Sequence, residues 1–143
     1  MFIGEYQHTI DEKRRMSIPS KFRKDLGNGA VITKGLESSL VIYPKEQWKV
    51  ISEKVGNLPL SQKEGRAMAR IILGGASEVE FDKIGRILIP DYLKEFASLE
   101  KDAVIIGMYN RIEIWDAKVW SQYKAKVEKE MDESIEKLKD VGI

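Results

Sequence analysis

A nine-residue segment, Asp11-Glu12-Lys13-Arg14-Arg15-Met16-Ser17-Ile18-Pro19, returns later in the chain as Asp82-Lys83-Ile84-Gly85-Arg86-Ile87-Leu88-Ile89-Pro90. This duplication limits the fold more than any other feature. Asp, Arg and Pro recur at one common offset of 71 positions, and the echo then continues in order. Ala30-Val31-Ile32 is matched by Ala103-Val104-Ile105, Leu40-Val41-Ile42-Tyr43 by Ile112-Glu113-Ile114-Trp115, and Trp48 by Trp120. The offset drifts to 73 at the alanines and 72 at the tryptophans, so small changes in loop length separate two copies of one structural unit. Two half-units in one chain predict an internal pseudo-twofold axis and two similar surfaces offered to one repetitive partner. Leu58-Pro59-Leu60 is the natural break, giving halves 1–57 and 58–143.

The whole chain of 143 residues is long enough to bury a core, and its formal net charge is only +1. A polycation that coats nucleic acid indiscriminately is therefore excluded, and any anion-binding patch must be local. From His8 to Asp25 six basic residues (Lys13, Arg14, Arg15, Lys21, Arg23, Lys24) face three acidic ones, whereas from Lys124 to Asp140 five face six. The positive field belongs to the first motif. The charged share of 33% places mixed charges along a well-solvated surface. With no cysteine, disulfides, thiolate catalysis and cysteine metal sites are excluded, in keeping with a reducing cytoplasm. No long apolar run opens the chain, so neither a signal peptide nor a membrane span is expected.

Periodicity places strands and turns around the repeat. Phe2 to Ile10 reads as a strand, and Met16/Ile18 and Ile87/Ile89 put apolar residues at spacing two just after each arginine. Each Asp-to-Arg segment is then a tight turn between strands. Gly85 can adopt positive φ at its turn cheaply; Arg14 stands at the equivalent place, so the first turn takes another geometry or carries strain. Ser20 to Leu26 and Asp91 to Phe96 read as short helices after Pro19 and Pro90, and Ala30–Thr33 with Leu40–Tyr43, and Val104–Met108 with Ile112–Trp115, as twin hairpins. Pro44 suits a first helical position, with Trp48, Ile51 and Val55 on one face. Ser61-Gln62-Lys63-Glu64 has the form of a capping box, with Met68, Ile71 and Ile72 as the apolar side of the helix it opens. A last helix from Asp116 to about Asp140 carries the stripe Trp120, Tyr123, Val127, Met131, Leu138, which packs on the body or a neighbouring subunit rather than binding a cofactor.

Catalysis finds little support. His8 is the only histidine and sits at an alternating strand position, no cluster has metal-ligand spacing, and Gly74-Gly75 lacks the residues of a phosphate-cradling loop. No catalytic residue, metal or cofactor is expected. The two Asp-x-x-x-Arg turns offer more. An arginine on a β-turn can give guanine O6 and N7 two parallel hydrogen bonds or clamp a phosphate, while Asp11 or Asp82, four residues earlier, orients the guanidinium. The plainer reading is a structural Asp–Arg pair closing a hairpin; duplication favours the first, because matched turns about a pseudo-twofold suit a duplex whose grooves repeat. Arg15 and Arg86 are then the central contacts, with Lys13, Arg14, Lys21, Arg23, Lys24 and Lys83 around them for phosphate.

Two Asp-x-x-x-Arg turns each followed by Ile-Pro, the run Gly107-Met108-Tyr109-Asn110-Arg111-Ile112-Glu113-Ile114-Trp115-Asp116 and the opening Met1-Phe2-Ile3-Gly4-Glu5-Tyr6 together resemble the MraZ family, from the first residue through Trp120. The resemblance implies a mainly β fold with flanking helices (α+β), built as a duplicated AbrB/SpoVT-type swapped-hairpin β-barrel with an internal pseudo-twofold. It also implies a ring-shaped homo-oligomer and a cytoplasmic, nucleoid-associated regulator of transcription. Such a protein binds double-stranded DNA at spaced repeats in the promoter of its own division and cell-wall gene cluster. Arg15, with Asp11 as its partner, is the residue the resemblance nominates for DNA contact; Arg86 and Asp82 match the second motif. Arg14 departs from the family pattern, where a glycine is usual. The rival reading is an antitoxin-like protein-interaction module that docks a partner through the last helix, and its supporting feature is the Trp120-to-Leu138 stripe.

Overall fold

Each half of the computed structural model, which describes residues 1–142, runs strand, short strand, short helix, hairpin, longer helix. In the first half these are β1 (Glu5–Thr9), β2 (Arg15–Ser17), α1 (Ser20–Leu26), β3 (Val31–Lys34), β4 (Leu40–Tyr43) and α2 (Lys45–Gly56). A linking helix α3 (Lys63–Gly74) leads to β5 (Ser77–Glu78), β6 (Arg86–Leu88), α4 (Asp91–Phe96), β7 (Asp102–Gly107), β8 (Ile112–Asp116) and α5 (Ala117–Lys129). Helix α6 (Met131–Lys137) and a 3-10 turn over Lys139–Val141 extend the second copy.

The halves exchange strands. β1 pairs antiparallel with β7 of the second half's hairpin, and β5 pairs with β3 of the first. Between them β4 pairs with β8, with Val41 opposite Glu113, so one six-stranded sheet runs in the order β1-β7-β8-β4-β3-β5. A separate two-stranded ribbon pairs β2 with β6, Met16 opposite Ile87. Val41/Glu113 and Met16/Ile87 are repeat-equivalent positions, so the pseudo-twofold axis passes through both pairs.

One core serves both copies. Equivalent residues enter it together: Met16 and Ile87, Ile18 and Ile89, Phe22 and Leu93, Leu26 and Ala97, Leu40 and Ile112, Ile42 and Ile114 are all buried in a single cluster. Phe22 from α1 is held edge-on by Phe2 at 5.4 Å and Tyr6 at 5.3 Å, which ties β1 to the first short helix. Burying an aromatic of this size contributes about 2–3 kcal/mol, so the aromatic trio anchors the swapped strand. Buried Thr33 donates its hydroxyl to the Ile72 carbonyl at 2.7 Å, and Tyr92 donates to the Gly75 carbonyl at 2.9 Å, fixing α3 and the chain beyond it.

Several expectations need correction. The helices hold more residues than the strands, so the fold is mixed α+β rather than mainly β. The hydrogen-bonded sheet is open, ending at β1 and β5, and among the described residues only the single bridges Ile10–Met16 and Phe81–Ile87 join it to the ribbon; no closed barrel forms. Pro44 precedes α2 as its N-cap instead of occupying the first helical position. The capping box does not form: α3 starts one residue after Gln62, and no side chain caps it. The last helix breaks at Glu130. Asp116 does cap α5, accepting from the Lys118 and Val119 amides at 3.1 and 3.2 Å.

Candidate nucleic-acid interface

Both Asp-x-x-x-Arg segments fold into the same turn by the same hydrogen bonds. Asp11 Oδ1 accepts from the Lys13 and Arg15 amides, each at 2.9 Å, and Asp11 Oδ2 accepts from Arg15 Nε at 3.1 Å. Asp82 repeats this with the Ile84 amide at 3.0 Å, the Arg86 amide at 2.9 Å and Arg86 Nε at 2.8 Å. Main-chain bonds close each loop: the Arg14 amide donates to the Asp11 carbonyl and the Gly85 amide to the Asp82 carbonyl, at 3.0 and 3.1 Å. The residue before each arginine is left-handed, φ +61° at Arg14 and +82° at Gly85, as in hairpin loops that close on a left-handed residue. Backbone amide donation, first of all from Arg15 and Arg86, holds the Asp11 and Asp82 carboxyls below the ordinary aspartate value, and the guanidinium beside each adds to it. Both therefore stay charged at neutral pH.

The pseudo-twofold axis brings the turns side by side. Arg86 Nη1 lies 3.5 Å from Asp11 Oδ2, so Asp11 faces both arginines. Arg86 is thereby held by two carboxylates. Arg15 is held by Asp11 through Nε alone, and its terminal nitrogens have no partner among the described residues. Strand alternation sends Met16 and Ile87 into the core and leaves Arg15, Ser17, Arg86 and Leu88 on the outer face of the ribbon.

The other nominated cations divide. Lys13 and Lys83 are exposed in the turns, beside Arg15 and Arg86. Arg14 folds away from solvent: its Nε donates to the Ile89 carbonyl at 3.1 Å and its own carbonyl accepts from the Ile89 amide at 2.8 Å. Arg23 crosses from α1 to the second turn, donating to the Ile84 carbonyl at 3.3 Å. Lys21 sits over the Tyr6 ring, 4.8 Å from its centroid. Lys24 is exposed on α1 without a hydrogen bond or ion pair among the described residues. Arg14 and Arg23 are thus buttresses between the halves, and Lys13, Arg15, Lys83 and Arg86 make the accessible cationic face. Ser17, Ile84 and Leu88 also belong to this face; the spacing-two pattern of Met16/Ile18 and Ile87/Ile89 carried the signal for Ser17 and Leu88.

Elsewhere the surface offers less chemistry. Half-buried His8, its pKa lowered by desolvation, lines an open cleft of about 330 Å³ with Asp102 and makes no hydrogen bond to it. Among the described residues no group of three or more His, Asp or Glu side chains is placed to hold a metal ion, and no helix is long and apolar enough to cross a membrane. An apolar cleft of about 470 Å³, lined by Val41, Tyr43, Met68, Trp115 and Trp120 among others, lies on the side of the sheet opposite the ribbon.

The family described as "MraZ protein, putative antitoxin-like" matches the chain twice, over residues 1–71 and 72–141. The chain belongs to the MraZ family. Proteins named transcriptional regulator MraZ are similar to it along the full length of both chains: 45% identical in Natranaerobius thermophilus, 48% in Clostridium beijerinckii and 49% in Heliobacterium modesticaldum. The double match of the MraZ description agrees with the duplicated turns and with the repeat-equivalent core.

Proposed function

We propose that this chain is a sequence-specific DNA-binding regulator of transcription whose reading head is the β2–β6 ribbon with its two turns. The observation that carries the proposal is the 3.5 Å approach of Arg86 to Asp11, which sets both turns on one face while the Arg15 fork stays unpaired. A two-stranded ribbon is of a size the major groove admits, and a free guanidinium fork matches guanine O6 and N7. Arg15 is the base contact in this reading, Asp11 aims it, Arg86 and Asp82 hold the second turn against it, and Lys13, Lys83 and Lys24 approach phosphate. Arg14 and Arg23 contribute charge from behind while positioning the turns. The relatives' name, transcriptional regulator, supports the regulatory role.

The same proposal takes residues 1–57 and 58–143 as two AbrB/SpoVT-type halves, and several chains as a ring that binds spaced repeats in the promoter of its own division and cell-wall gene cluster. Such a protein works in the cytoplasm at the nucleoid. With a net charge of +1, one chain binds weakly, and a ring that engages successive repeats supplies affinity through effective concentration.

The test is a binding titration against the promoter fragment and a scrambled fragment of equal length as salt rises. Arg15→Ala is expected to cost about 1–3 kcal/mol per engaged turn and to abolish promoter preference, whereas Lys24→Ala weakens both fragments alike. Equal losses from the two substitutions would show that Arg15 makes no privileged base contact.

A second reading, a partner-docking module, is favoured by one observation. Trp120 and Tyr123 pack on Trp115 at 5.2 and 4.9 Å and Val127 is half-buried, but the far end of the stripe is uncovered: Met131 and Leu138 are 57% and 48% exposed. Capture of a partner by the full chain, lost on Met131→Asp with Leu138→Asp while promoter binding persists, distinguishes this reading from the first.

A further inference from the structure

The outer face of the ribbon is symmetric in backbone and asymmetric in chemistry. The first copy presents Lys13, Arg15 and Ser17; the second presents Ile84, Arg86 and Leu88 at the equivalent places. Leu88 lies directly across the ladder from Arg15 and is 56% exposed; Ile84, at the tip of the second turn, is 66% exposed. Neither belongs to the core cluster. The backbone beneath Ile84 is held by Arg23, whose guanidinium donates to the Ile84 carbonyl and lies over the buried Gly85. Ile84 is therefore offered from a fixed turn.

A single exposed aliphatic residue is ordinary on any surface. Here two share one face with both turn arginines, and one is the cross-strand neighbour of Arg15, whose terminal nitrogens have no partner among the described residues. A duplex groove contains one apolar feature at the base edges, the C5-methyl group of thymine, exposed in the major groove that admits a ribbon. We propose that Ile84 and Leu88 are specificity-determining residues that contact thymine methyl groups beside the base read by Arg15. The inference rests on the DNA-binding reading above. Leu88 also shields the Arg15 contact from water, which strengthens the hydrogen bonds the guanidinium makes there.

Promoter fragments made with thymine or with deoxyuridine throughout differ only in the C5-methyl groups, and both are titrated with the full-length protein. The wild type is expected to bind the deoxyuridine fragment more weakly, by about fourfold per methyl group buried. Ile84→Ala with Leu88→Ala is expected to bind both fragments alike, with sedimentation mass unchanged. The conservative pair Ile84→Val with Leu88→Met keeps the thymine preference. The same deoxyuridine penalty in the alanine variant as in the wild type overturns the methyl contact, and so does a fall in its mass, which assigns the two residues to contacts between copies. Absence of promoter preference in the wild-type protein defeats the DNA reading itself, and this inference with it.

Discussion

Arg14 and Gly85 occupy equivalent places and adopt the same left-handed backbone, yet the chain reaches it by opposite means. At Arg14 a side chain is present where it costs about 1–2 kcal/mol, and the hydrogen bond from its Nε to the Ile89 carbonyl across the pseudo-twofold offsets part of that cost. At Gly85 the backbone is unstrained, and the space a Cβ would fill belongs to the Arg23 guanidinium. Each turn is thus pinned by an arginine from the first half, one acting forward from the turn and one inward from α1. Gly85→Ala is expected to destabilise the protein by about 1–2 kcal/mol from the left-handed φ, with an added loss from displacing Arg23. Because part of that loss is steric, Gly85→Ala combined with Arg23→Ala should cost less than the sum of the single changes in denaturant midpoints. Additive losses would show that Arg23 does not rest on Gly85.

Most elements were legible in the sequence, β5 excepted, because their signals are local: a proline before each short helix, spacing-two apolar residues after each arginine, and short loops in each hairpin. Which strands pair was not. β1 and β5 add to the hairpin of the opposite half, and nothing within either strand names its partner. The break at Glu130 was also hidden, since the apolar stripe runs through it and no Gly or Pro marks it. Asp132 and Glu133 suit the positive start of α6, as Lys126 and Lys129 suit the negative end of α5. At the site, the paired turns were legible and Arg15 is where the motif put it, but the diversion of Arg14 and Arg23 into buttresses depends on contacts 61 to 75 residues away. Strand exchange has a measurable consequence. A fragment ending at Gly75 leaves β1 without β7 and β2 without β6, and opens half of the shared core. It is expected to fold only as a twofold dimer in which each copy supplies the missing strands, so its circular dichroism should depend on concentration. A folded, concentration-independent monomer would contradict the shared-core account.

At the scale of the whole molecule, both turns share one face, while the apolar cleft lined by Val41, Tyr43, Trp115 and Trp120 lies on the other side of the sheet and the exposed stripe of α6 extends beyond α5. Under the DNA-binding proposal, this separation leaves the ribbon free to meet a duplex and the other surfaces free to meet other chains. It also limits what one chain achieves, because four accessible turn cations beside Asp11 and Asp82 give a modest field. Each phosphate neutralised on duplex DNA contributes about −0.9 to the slope of log affinity against log salt. If several chains engage several repeats together, these slopes add, and the second and later contacts become intramolecular. A promoter fragment with its full set of repeats is therefore expected to bind at least ~100-fold more tightly than a fragment with one repeat, and with a slope steeper in proportion to the turns engaged. The measurement is a pair of titrations across salt concentration with the two fragments held to equal length. Equal affinities and equal slopes would mean that a single ribbon carries the whole contact, and the affinity would then have to come from Arg15 and its neighbours alone.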